Sequence, residues 1–279
     1  MCRLYAFRAN EPTKVECSLI YAQNALLNQS IIDIRGEPNA DGWGISCYED
    51  GVPRVEKRDT AAHQDTHFSV TAERLYARTV IAHIRQATVG NHSLPNTHPF
   101  TYGPWTFAHN GTLMGFRKLE DDLVAETDPD LLAMRYGDTD SELIFYWLLT
   151  RMRRADGNGP VPTPDFKSTI QVLCDSLAEL DRRSRPYWTD EPSKLNMLLT
   201  NGHDVFGTRL RNSLYYVTRA GIHDCEICGI PHVYHDDRNR YQAVIVASEP
   251  ISDEDWQEVP ENTVVGVEEG LFVSLHPIQ

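Results

Sequence analysis

The alternation of apolar and polar residues predicts a chain that is rich in strands. In the first half, β-branched and apolar runs predict strands at residues 3–8, 42–48, 79–85 and 105–108. In the last third, similar runs predict strands at residues 195–200, 204–209, 213–219, 241–247, 263–267 and 271–275. Short turns separate most of these segments, so we expect the sheets to be largely antiparallel.

Apolar residues at helical spacing predict helices at residues 15–28, 139–154 and 165–182. The second helix begins with the signature of a capping box, because Thr139 is followed three residues later by Glu142. A proline-rich and glycine-rich loop precedes the third helix and carries no clear sign of a domain boundary. The predicted helices precede the last third of the chain, which is predicted to consist of strands. This segregation predicts an α+β fold, formed by residues 1–279 as a single domain.

The composition limits the partners and the compartment of the protein. The chain has 279 residues, of which 41% are hydrophobic and 24% charged, as in ordinary globular proteins. Its net charge of −14 argues against nucleic acid as a partner, because phosphates attract basic surfaces. No apolar run approaches the ~20 residues of a membrane helix, so we expect no association with a membrane. Six scattered cysteines favour a reducing cytoplasm over a disulfide framework.

A cysteine occupies the second position of the chain, in Met1-Cys2-Arg3. Removal of Met1 would give Cys2 a free α-amine, whose pKa lies near ~8 and which can accept the proton of the thiol. A cysteine also occurs at this position by chance in many chains. The hypothesis of a nucleophile therefore depends on the other polar clusters of the sequence.

Two polar clusters follow predicted strands. The first strand ends in Arg85, whose planar guanidinium group can hold a carboxylate through two hydrogen bonds. The second runs into Asn110 and Gly111, whose side-chain amide and backbone N–H can form an oxyanion hole. Each cluster has a structural alternative, an ion pair with a local acid in one case and an ordinary Asn-Gly turn in the other. We expect the neighbouring His83 to be a hydrogen-bonded core residue.

A third cluster, residues 138–142, lies at the start of the second predicted helix. Asp140 can accept the ammonium group of a substrate, although acids in a first turn also interact favourably with the helix dipole. A nucleophile, a base, an oxyanion hole, a carboxylate clamp and an ammonium acceptor together fit glutamine or another γ-glutamyl compound. Cys2 would attack the δ-carbonyl and form a γ-glutamyl thioester.

Six short motifs, in the same order, resemble those of the class II glutamine amidotransferases, which are N-terminal-nucleophile hydrolases. The motifs are Met1-Cys2-Arg3, Asp41-Gly42-Trp43-Gly44, His83-Ile84-Arg85-Gln86-Ala87-Thr88, His98-Pro99-Phe100, His109-Asn110-Gly111 and Thr139-Asp140-Ser141-Glu142. The resemblance runs from Cys2 to the last of these motifs and continues to Ala247-Ser248-Glu249-Pro250. It implies a four-layer αββα sandwich of the N-terminal-nucleophile hydrolase type, with the nucleophile at the start of an inner strand.

The resemblance also implies roles for individual residues. Cys2 would be the nucleophile, and Asn110 with Gly111 would form the oxyanion hole. Arg85 would bind the α-carboxylate of the substrate, and Asp140 would bind its α-amine. The chemistry of these side chains suggests the same roles when the resemblance to the family is left aside.

Three further residues lie in family motifs, and we expect them only to shape the substrate pocket. They are Trp43, Thr88 and His98. One position departs from the family, because Gln86 stands where synthase-linked members often have tryptophan. This difference can alter how the pocket closes, and it affects neither the nucleophile nor the carboxylate clamp.

The glutaminase-like region accounts for the whole chain, so we expect no segment for an acceptor site. Two functions stay open: a γ-glutamyl amide hydrolase that acts alone, and a glutaminase subunit that supplies a separate partner enzyme. The compact form resembles the branch that cleaves a γ-glutamyl intermediate of ergothioneine synthesis and the branch of glutathione-degrading subunits. We expect a hydrolase with a small γ-glutamyl substrate and no cofactor for catalysis. A non-catalytic binding protein is less favoured, because the nucleophile and the oxyanion donors are retained.

A segment rich in cysteine and histidine is unexpected in this family. Cys225 and Cys228 form a C-x2-C pair, which His232 and His235 follow. Zinc binds these ligand types tetrahedrally, and four protein ligands would make such a zinc ion structural. The spacing from cysteine to histidine is shorter than in common zinc fingers. The alternative is a hairpin tip with reduced thiols and solvated histidines.

Overall fold

Two antiparallel sheets packed face to face form the centre of the protein in a computed structural model. The structure describes residues 2–33, 36–157, 159–189, 191–221, 225, 227–233 and 240–279. The first seven strands in this part of the chain are β1 (Arg3–Lys14), β2 (Trp43–Glu49), β3 (Val52–Arg58), β4 (Tyr76–Ile84), β5 (Phe100–Tyr102), β6 (Trp105–Thr112) and β7 (Lys194–Thr200). The others are β8 (Val205–Arg209), β9 (Tyr215–Ala220), β10 (Gln242–Ala247), β11 (Gln257–Glu258), β12 (Thr263–Val267) and β13 (Val273–Pro277).

The order of the strands places β1 at the centre of its sheet. The seven-stranded sheet has the order β11-β9-β10-β1-β4-β2-β3, and the six-stranded sheet has the order β13-β12-β8-β7-β6-β5. β1 pairs in antiparallel fashion with β10 on one side and with β4 on the other. Its register with β4 sets Arg3 opposite Ile84. The next opposed positions are therefore Cys2, just before β1, and Arg85, just after β4.

Side chains that alternate along the strands divide the interior into separate cores. Leu4 and Ala6 of β1 lie between the two sheets, in one cluster with Leu198 and Val265 from the six-stranded sheet. Tyr5, the residue between them, belongs to the core on the opposite face of the seven-stranded sheet. This alternation is the period of two that a strand with both faces buried requires.

Helices cover the outer face of each sheet. The short α1 (Leu26–Ile31) and α2 (Thr66–Arg74) pack on the seven-stranded sheet. The six-stranded sheet is covered by α3 (Phe116–Glu126), α4 (Pro129–Leu132), α5 (Asp140–Ala155) and α6 (Phe166–Ser184). The predicted α+β class and the four-layer αββα arrangement are confirmed. Among the described residues, no helix combines the length and the apolar character that crossing a membrane requires.

The predicted helix at residues 15–28 is wrong as a single element. A π-helical turn covers Cys17–Tyr21, and α1 begins only after a turn in which the Ala25 N–H donates to the backbone oxygen of Ala22 at 3.0 Å. The side chain of Asn24, within this second turn, donates a hydrogen bond of 2.8 Å to the backbone oxygen of Pro250. This contact between distant parts of the chain opposes a continuous helix, and the local spacing of apolar residues does not reveal it.

Six elements have no counterpart among the predicted ones: β3, β5, β11, α2, α3 and α4. The weakness of their apolar pattern explains the omission. In α3, for example, only Phe116, Leu119 and Leu123 are buried. Their spacing of three and four residues is helical, so the signal is present in the sequence but short.

The predicted helix at residues 139–154 is present as α5, but its capping box is incomplete. The hydroxyl of Thr139 accepts a hydrogen bond of 3.2 Å from the Glu142 N–H, as predicted. The Glu142 carboxylate does not complete the box, because it accepts hydrogen bonds from the N–H groups of Tyr136 (3.1 Å) and Gly137 (2.6 Å). Glu142 therefore fixes the turn before the helix, and this turn leads into Asp140.

Three histidines are buried in the interior. The rings of His83 and His98 stack with centroids 4.3 Å apart, and His83 Nε2 lies 3.2 Å from the backbone oxygen of His109. Burial lowers the pKa of His83 to about 3 and also lowers the pKa values of His98 and His109. All three rings are therefore uncharged at neutral pH, and His83 is the hydrogen-bonded core residue that the sequence predicted.

We predict that the protein loses stability as the pH falls from about 6.5 toward 3. In this range the unfolded chain protonates the three histidines and the folded protein does not. The free energy of unfolding should therefore fall by up to about 1.4 kcal/mol per pH unit for each histidine. Urea unfolding at several pH values measures this slope. His98→Gln should reduce the slope, whereas His203→Gln, at an exposed position, should not. Equal slopes in all three proteins would contradict the prediction.

Candidate active site

Cys2 lies immediately before β1, and its thiol is buried at the edge of the gap between the sheets. The alternation along β1 places Cys2 on the face of Leu4, toward the six-stranded sheet. Its Sγ lies 3.2 Å from the backbone oxygen and 3.3 Å from the backbone nitrogen of Gln86. Burial raises the pKa of the Cys2 thiol, although the hydrogen bond to Gln86 and the charge of Arg85 oppose this effect. A nearby base is therefore needed to form the thiolate at neutral pH.

Ser248 connects the start of β1 to Asn110. Its hydroxyl oxygen accepts hydrogen bonds from the Leu4 N–H (2.9 Å) and from Asn110 Nδ2 (3.4 Å). The backbone oxygen of Asn110 accepts a further bond of 2.9 Å from the side chain of Asn212. These bonds hold Asn110 beside β1, the strand that begins after Cys2. Asn110 is buried, with 1% of its surface exposed.

Gly111 is a position where only glycine fits. A Cβ atom at Gly111 would lie 1.8 Å from the backbone oxygen of Lys194 on β7 and 2.9 Å from the ring of His109. Any side chain would therefore push β6 and β7 apart. The sequence suggested Gly111 only as a backbone donor, and the structure shows that this glycine also permits the close approach of β7.

Arg85 faces the same gap between the sheets as Cys2. The alternation along β4 places Arg85 on the face of Ile81, which packs between the sheets. One guanidinium nitrogen, Nη2, donates to the backbone oxygen of Val89 at 3.3 Å. The other, Nη1, is buried and has no hydrogen-bond partner within the described part of the chain. An unpaired buried donor costs free energy, so an acceptor bound at this nitrogen would stabilise the site.

Asp41 holds the loop that follows Arg85. Its backbone N–H donates to the backbone oxygen of Arg85 at 3.0 Å. Its carboxylate accepts a hydrogen bond of 2.7 Å from the Ala87 N–H and lies 3.3 Å from His92 Nε2. The aspartate of the Asp-Gly-Trp-Gly motif therefore positions the loop that contacts the thiol of Cys2, a role that the sequence did not suggest.

Thr88 brings this loop to the end of β6. Its hydroxyl lies 2.7 Å from the hydroxyl of Thr112, the residue after Gly111. Thr88 is exposed, so it lies at the rim of the site rather than inside it. The loop that follows Arg85 and the end of β6, with Asn110 and Gly111, thus meet at one edge of the two sheets.

Asp140 reaches the end of β6 from the first turn of α5. One carboxylate oxygen accepts a hydrogen bond of 2.7 Å from the Leu113 N–H, and the other accepts one of 2.8 Å from the Ser141 N–H. Leu113 follows directly after β6, so Asp140 lies beside the end of the strand that carries Asn110 and Gly111. The Ser141 hydroxyl donates a further bond of 3.3 Å to the second of these oxygens. A carboxylate has about four acceptor sites, so these three bonds leave one for an ammonium group.

Trp43 and His98 do not contact these residues through the described hydrogen bonds. Trp43 is fully buried on the face of β2 toward α2, where it packs edge-on against Phe68 and donates to Asp65 at 3.0 Å. His98 stacks on His83, and neither of its ring nitrogens has a hydrogen-bond partner among the described residues. The contacts of these two side chains are therefore with the surrounding core, at Phe68 and Asp65 for Trp43 and at His83 for His98.

A buried charge network that the sequence did not predict anchors the start of β1. Arg3 donates a hydrogen bond of 3.0 Å to the backbone oxygen of Cys2. It also forms ion pairs with Asp33 and, at 2.9 Å, with Glu249. The side chain of Asn24 donates to Glu249 at 3.2 Å. Arg3 and Glu249 stand in the first and last family motifs, so the sequence held a signal for them, whereas it held none for Asp33.

The predicted metal ligands lie at the other end of β1. Cys225, Cys228 and His232 converge there, and the structure adds Cys17 to them. The fourth predicted ligand, His235, lies outside the described residues. The cysteine pair is therefore separate from the group of residues around Cys2.

A family model described as "Glutamine amidotransferases class-II" matches residues 1–278. The chain belongs to the class-II glutamine amidotransferases. This membership agrees with the order of the motifs and with the αββα layers.

Relatives of this amidotransferase cover nearly its whole length. It is 31% identical over 314 aligned residues to the probable glutamine amidotransferase DUG3 of Saccharomyces cerevisiae, with 100% of this chain and 84% of the relative covered. It is 27% identical over 279 residues to the gamma-glutamyl-hercynylcysteine sulfoxide hydrolase of Mycolicibacterium smegmatis, with 98% of each covered. A crystal structure of a predicted glutamine amidotransferase from Pseudomonas aeruginosa is 28% identical and has a TM-score of 0.60, with 98% of this chain and 99% of that chain covered. The family and the fold predicted from the motifs are thereby confirmed.

We predict that Gly111→Ala destabilises this amidotransferase by about 3 kcal/mol, because the added Cβ atom forces β6 away from β7. Chemical denaturation measures the change in the free energy of unfolding. Gly159→Ala is the matched control, since a Cβ atom there would lie 3.6 Å from its nearest neighbour. If Gly111→Ala lowers the free energy of unfolding no more than Gly159→Ala does, β6 and β7 can separate at that point without loss of stability.

Proposed function

We propose that this chain hydrolyses the γ-glutamyl amide bond of glutamine or of a γ-glutamyl compound through a thioester on Cys2. The proposal rests chiefly on Arg85, whose Nη1 is buried without a described partner at the position opposite Cys2. The α-carboxylate of the substrate would be the missing acceptor. Three carbon atoms separate this carboxylate from the carbonyl of a γ-glutamyl group, so one substrate can reach both residues.

The proposed reaction starts from a chain that has lost Met1. The free α-amine of Cys2 takes the proton of the thiol, and Sγ attacks the γ-glutamyl carbonyl to form a tetrahedral oxyanion. The protonated amine gives its proton to the leaving nitrogen, the C–N bond breaks, and ammonia or an amine departs. Water, deprotonated by the same amine, then attacks the thioester, releases the γ-carboxylate and restores the thiol. Apart from the substrate, every group in these reaction steps belongs to the chain or is water, so the proposed reaction uses no cofactor.

Burial of Cys2 explains why the amine is needed. Burial raises the pKa of the thiol, so bulk water at neutral pH would leave it protonated. An α-amine with a pKa near ~8 is a much stronger base than water and would be attached to the same residue. The hydrogen bond from Arg3 to the backbone oxygen of Cys2 limits the motion of this residue, which helps to keep base and thiol together.

We assign the oxyanion to Asn110 Nδ2 and the Gly111 N–H. The bond from Asn110 Nδ2 to Ser248 is long, 3.4 Å, and therefore weak. The amide can exchange this bond for a stronger one to a negative oxygen. Loss of one such donor typically costs about 3 kcal/mol in the transition state.

Asp140 is the proposed acceptor for the α-ammonium group. Its buried carboxylate already accepts bonds from Leu113 and Ser141, so its position does not depend on the substrate. A preorganised acceptor of this kind lowers the entropic cost of binding. Thr88 and Thr112 would form the rim between this group and Arg85.

The comparisons support a γ-glutamyl compound as the substrate class. The name of one full-length relative describes the hydrolysis of a γ-glutamyl compound. The side chains assigned above contact only the γ-glutamyl half, which glutamine and such compounds share. The amine half of the substrate is therefore left unassigned.

A second candidate is a glutaminase subunit that passes ammonia or the γ-glutamyl group to a partner enzyme. The observation that favours it is the full-length match to a relative that is named a probable glutamine amidotransferase. Both candidates use the same thioester and differ only in what accepts the products. For either one we propose that residues 1–279 act as one domain in a reducing cytoplasm, where the six free thiols would persist.

We predict that Cys2→Ala abolishes hydrolysis of glutamine and of γ-glutamyl amides while the fold is retained, because the nucleophile is lost and little volume changes. Release of ammonia or amine from these substrates measures hydrolysis. Intact-protein mass spectrometry, before and after treatment with the glutamine analogue 6-diazo-5-oxo-norleucine, tests whether Met1 is removed and whether Cys2 is the reactive residue. The wild-type chain should lack Met1 and gain one adduct, and Cys2→Ala should gain none. Cys174→Ala, at a half-buried cysteine of α6, is the matched control and should react as the wild type does.

Three results of that experiment are informative. A chain that keeps Met1, or a Cys2→Ala variant with full activity, would disprove the mechanism. A wild-type chain that is labelled but does not turn over glutamine or γ-glutamyl amides would favour the subunit that needs a partner.

We predict that Arg85→Ala and Asp140→Asn each weaken recognition of one end of the substrate. Arg85→Ala should lower kcat/KM for glutamine about a hundredfold, as expected for the loss of a buried charge pair worth roughly 3 kcal/mol. It should have little effect on 4-aminobutanamide, which lacks the carboxylate. Asp140→Asn should lower kcat/KM for glutamine and have little effect on glutaramate, which lacks the amine.

The control for this pair of variants is Arg78→Ala, which removes an exposed arginine from the same strand, β4. It should leave kcat/KM for all three substrates unchanged. If Arg85→Ala lowers activity equally for glutamine and for the analogue without a carboxylate, Arg85 does not bind the carboxylate. The same comparison with glutaramate decides the role of Asp140.

A further inference from the structure

Three cysteines and one histidine from distant parts of the chain meet at the end of β1 that lies away from Cys2. Cys17 lies in the π-helical turn that follows β1 and is 2% exposed. Cys225, Cys228 and His232 come from the connection between β9 and β10. Their sulfur and ring nitrogen atoms, together with that of Cys17, all lie within 4.8 Å of one another. The proposed γ-glutamyl chemistry uses none of these four side chains.

The backbone around the cysteine pair has the form of a tight knuckle. The Gly229 N–H donates to the backbone oxygen of Cys225 at 2.7 Å, and the Cys225 N–H donates to that of Ile230 at 3.1 Å. Gly229 has a φ of +72°, a left-handed conformation that favours glycine. This turn brings both thiols to the same side of the loop.

The knuckle is fastened to β1 rather than exposed as a separate hairpin tip. The N–H of Lys14, the last residue of β1, donates to the backbone oxygen of His232 at 3.0 Å. Val233, the next residue, is buried in the core of the seven-stranded sheet. His232 is thereby held against the segment that carries Cys17.

We propose that Cys17, Cys225, Cys228 and His232 bind one Zn²⁺ ion in a structural site. Three thiolates and one imidazole form a Cys3His set, which zinc prefers and which magnesium and calcium do not. Four protein ligands fill the tetrahedral shell and leave no position for a substrate. The site therefore joins the turn after β1 to the connection between β9 and β10.

The distances suit a zinc ion after small rotations of the side chains. With Zn–S bonds of about 2.3 Å, the sulfur atoms of a tetrahedral site are about 3.8 Å apart. Cys228 Sγ and His232 Nε2 already lie 3.2 Å apart. The other atoms lie no more than 4.8 Å apart. A pair of sulfur atoms therefore has to close by about 1 Å or less to reach the tetrahedral separation.

The surroundings of Cys225 support a thiolate. The backbone N–H groups of Cys228 and Ile227 form hydrogen bonds with the sulfur of Cys225. Such N–H···S bonds stabilise the charged ligand that zinc requires. A disulfide would use two of the three thiols and leave the third beside His232 without a role.

The first test measures the metal content of the full chain, purified under reducing conditions from a medium that contains Zn²⁺. We expect one zinc ion per chain in the wild type. Cys17→Ser should lower the zinc content at least tenfold. His235→Ala, which removes the alternative ligand suggested by sequence spacing, should leave one zinc ion bound. Cys47→Ser removes a cysteine outside the cluster and serves as the matched control.

A second measurement uses the wild type alone, because Cys17→Ser could also harm folding. After zinc is removed, the protein is titrated with Co²⁺. We expect the visible absorption of tetrahedral cobalt, together with sulfur-to-metal charge-transfer bands, to saturate at one equivalent. X-ray absorption of the zinc form should give three sulfur ligands and one nitrogen ligand.

Either of two results would overturn the proposal. One is a wild type that binds neither Zn²⁺ nor Co²⁺, including a protein isolated with a disulfide within the cluster. The other is a Cys17→Ser variant that keeps its zinc while His235→Ala loses it, which would restore the ligand set inferred from local spacing. Neither outcome depends on γ-glutamyl hydrolysis, so the two proposals can fail independently.

Discussion

The antiparallel register between β1 and β4 is the constraint on which the candidate site depends. It sets Arg3 opposite Ile84, so Cys2 and Arg85 come next to each other on one face of the sheet. A slip of one residue in β1 would turn Cys2 to the opposite face, toward the helices. Leu4 is buried on the face of Cys2, so the same packing between the sheets that stabilises the fold also enforces the register that the chemistry requires.

The buried charges around Arg3 lie at the start of β1, the strand whose register this is. A guanidinium group with two carboxylates is costly to remove from water, and apolar residues of similar size would often be at least as stabilising. Arg3 nevertheless binds Asp33, Glu249 and the backbone oxygen of Cys2 together. The network therefore fixes the backbone of the residue before β1 and leaves its thiol in contact with Gln86. The network thus connects the backbone of Cys2 to Asp33 and Glu249.

Much of the fold and of the site could be predicted from the sequence because the signals are local. The strands that carry the site have continuous apolar runs, and Arg85, Asn110 and Gly111 stand where such runs end. Contacts between distant segments left no such signal. The bond from Asn24 to Pro250 and the ion pair of Asp33 with Arg3 each join segments that no motif connects. The turn before α1 follows from the first of these contacts, which is why the predicted continuous helix was wrong.

The same limit explains why Cys17 was not among the predicted metal ligands. Local spacing pointed to His235, three residues after His232, whereas Cys17 lies more than 200 residues from Cys225 along the chain. The topology brings them together. β10 pairs with β1 and β9 pairs with β10, so the connection from β9 to β10 must pass the end of β1. Cys17 lies just beyond that end, because β1 stays paired with β4 as far as Lys14. Strand order, rather than the spacing of a motif, therefore decides which cysteine completes the cluster.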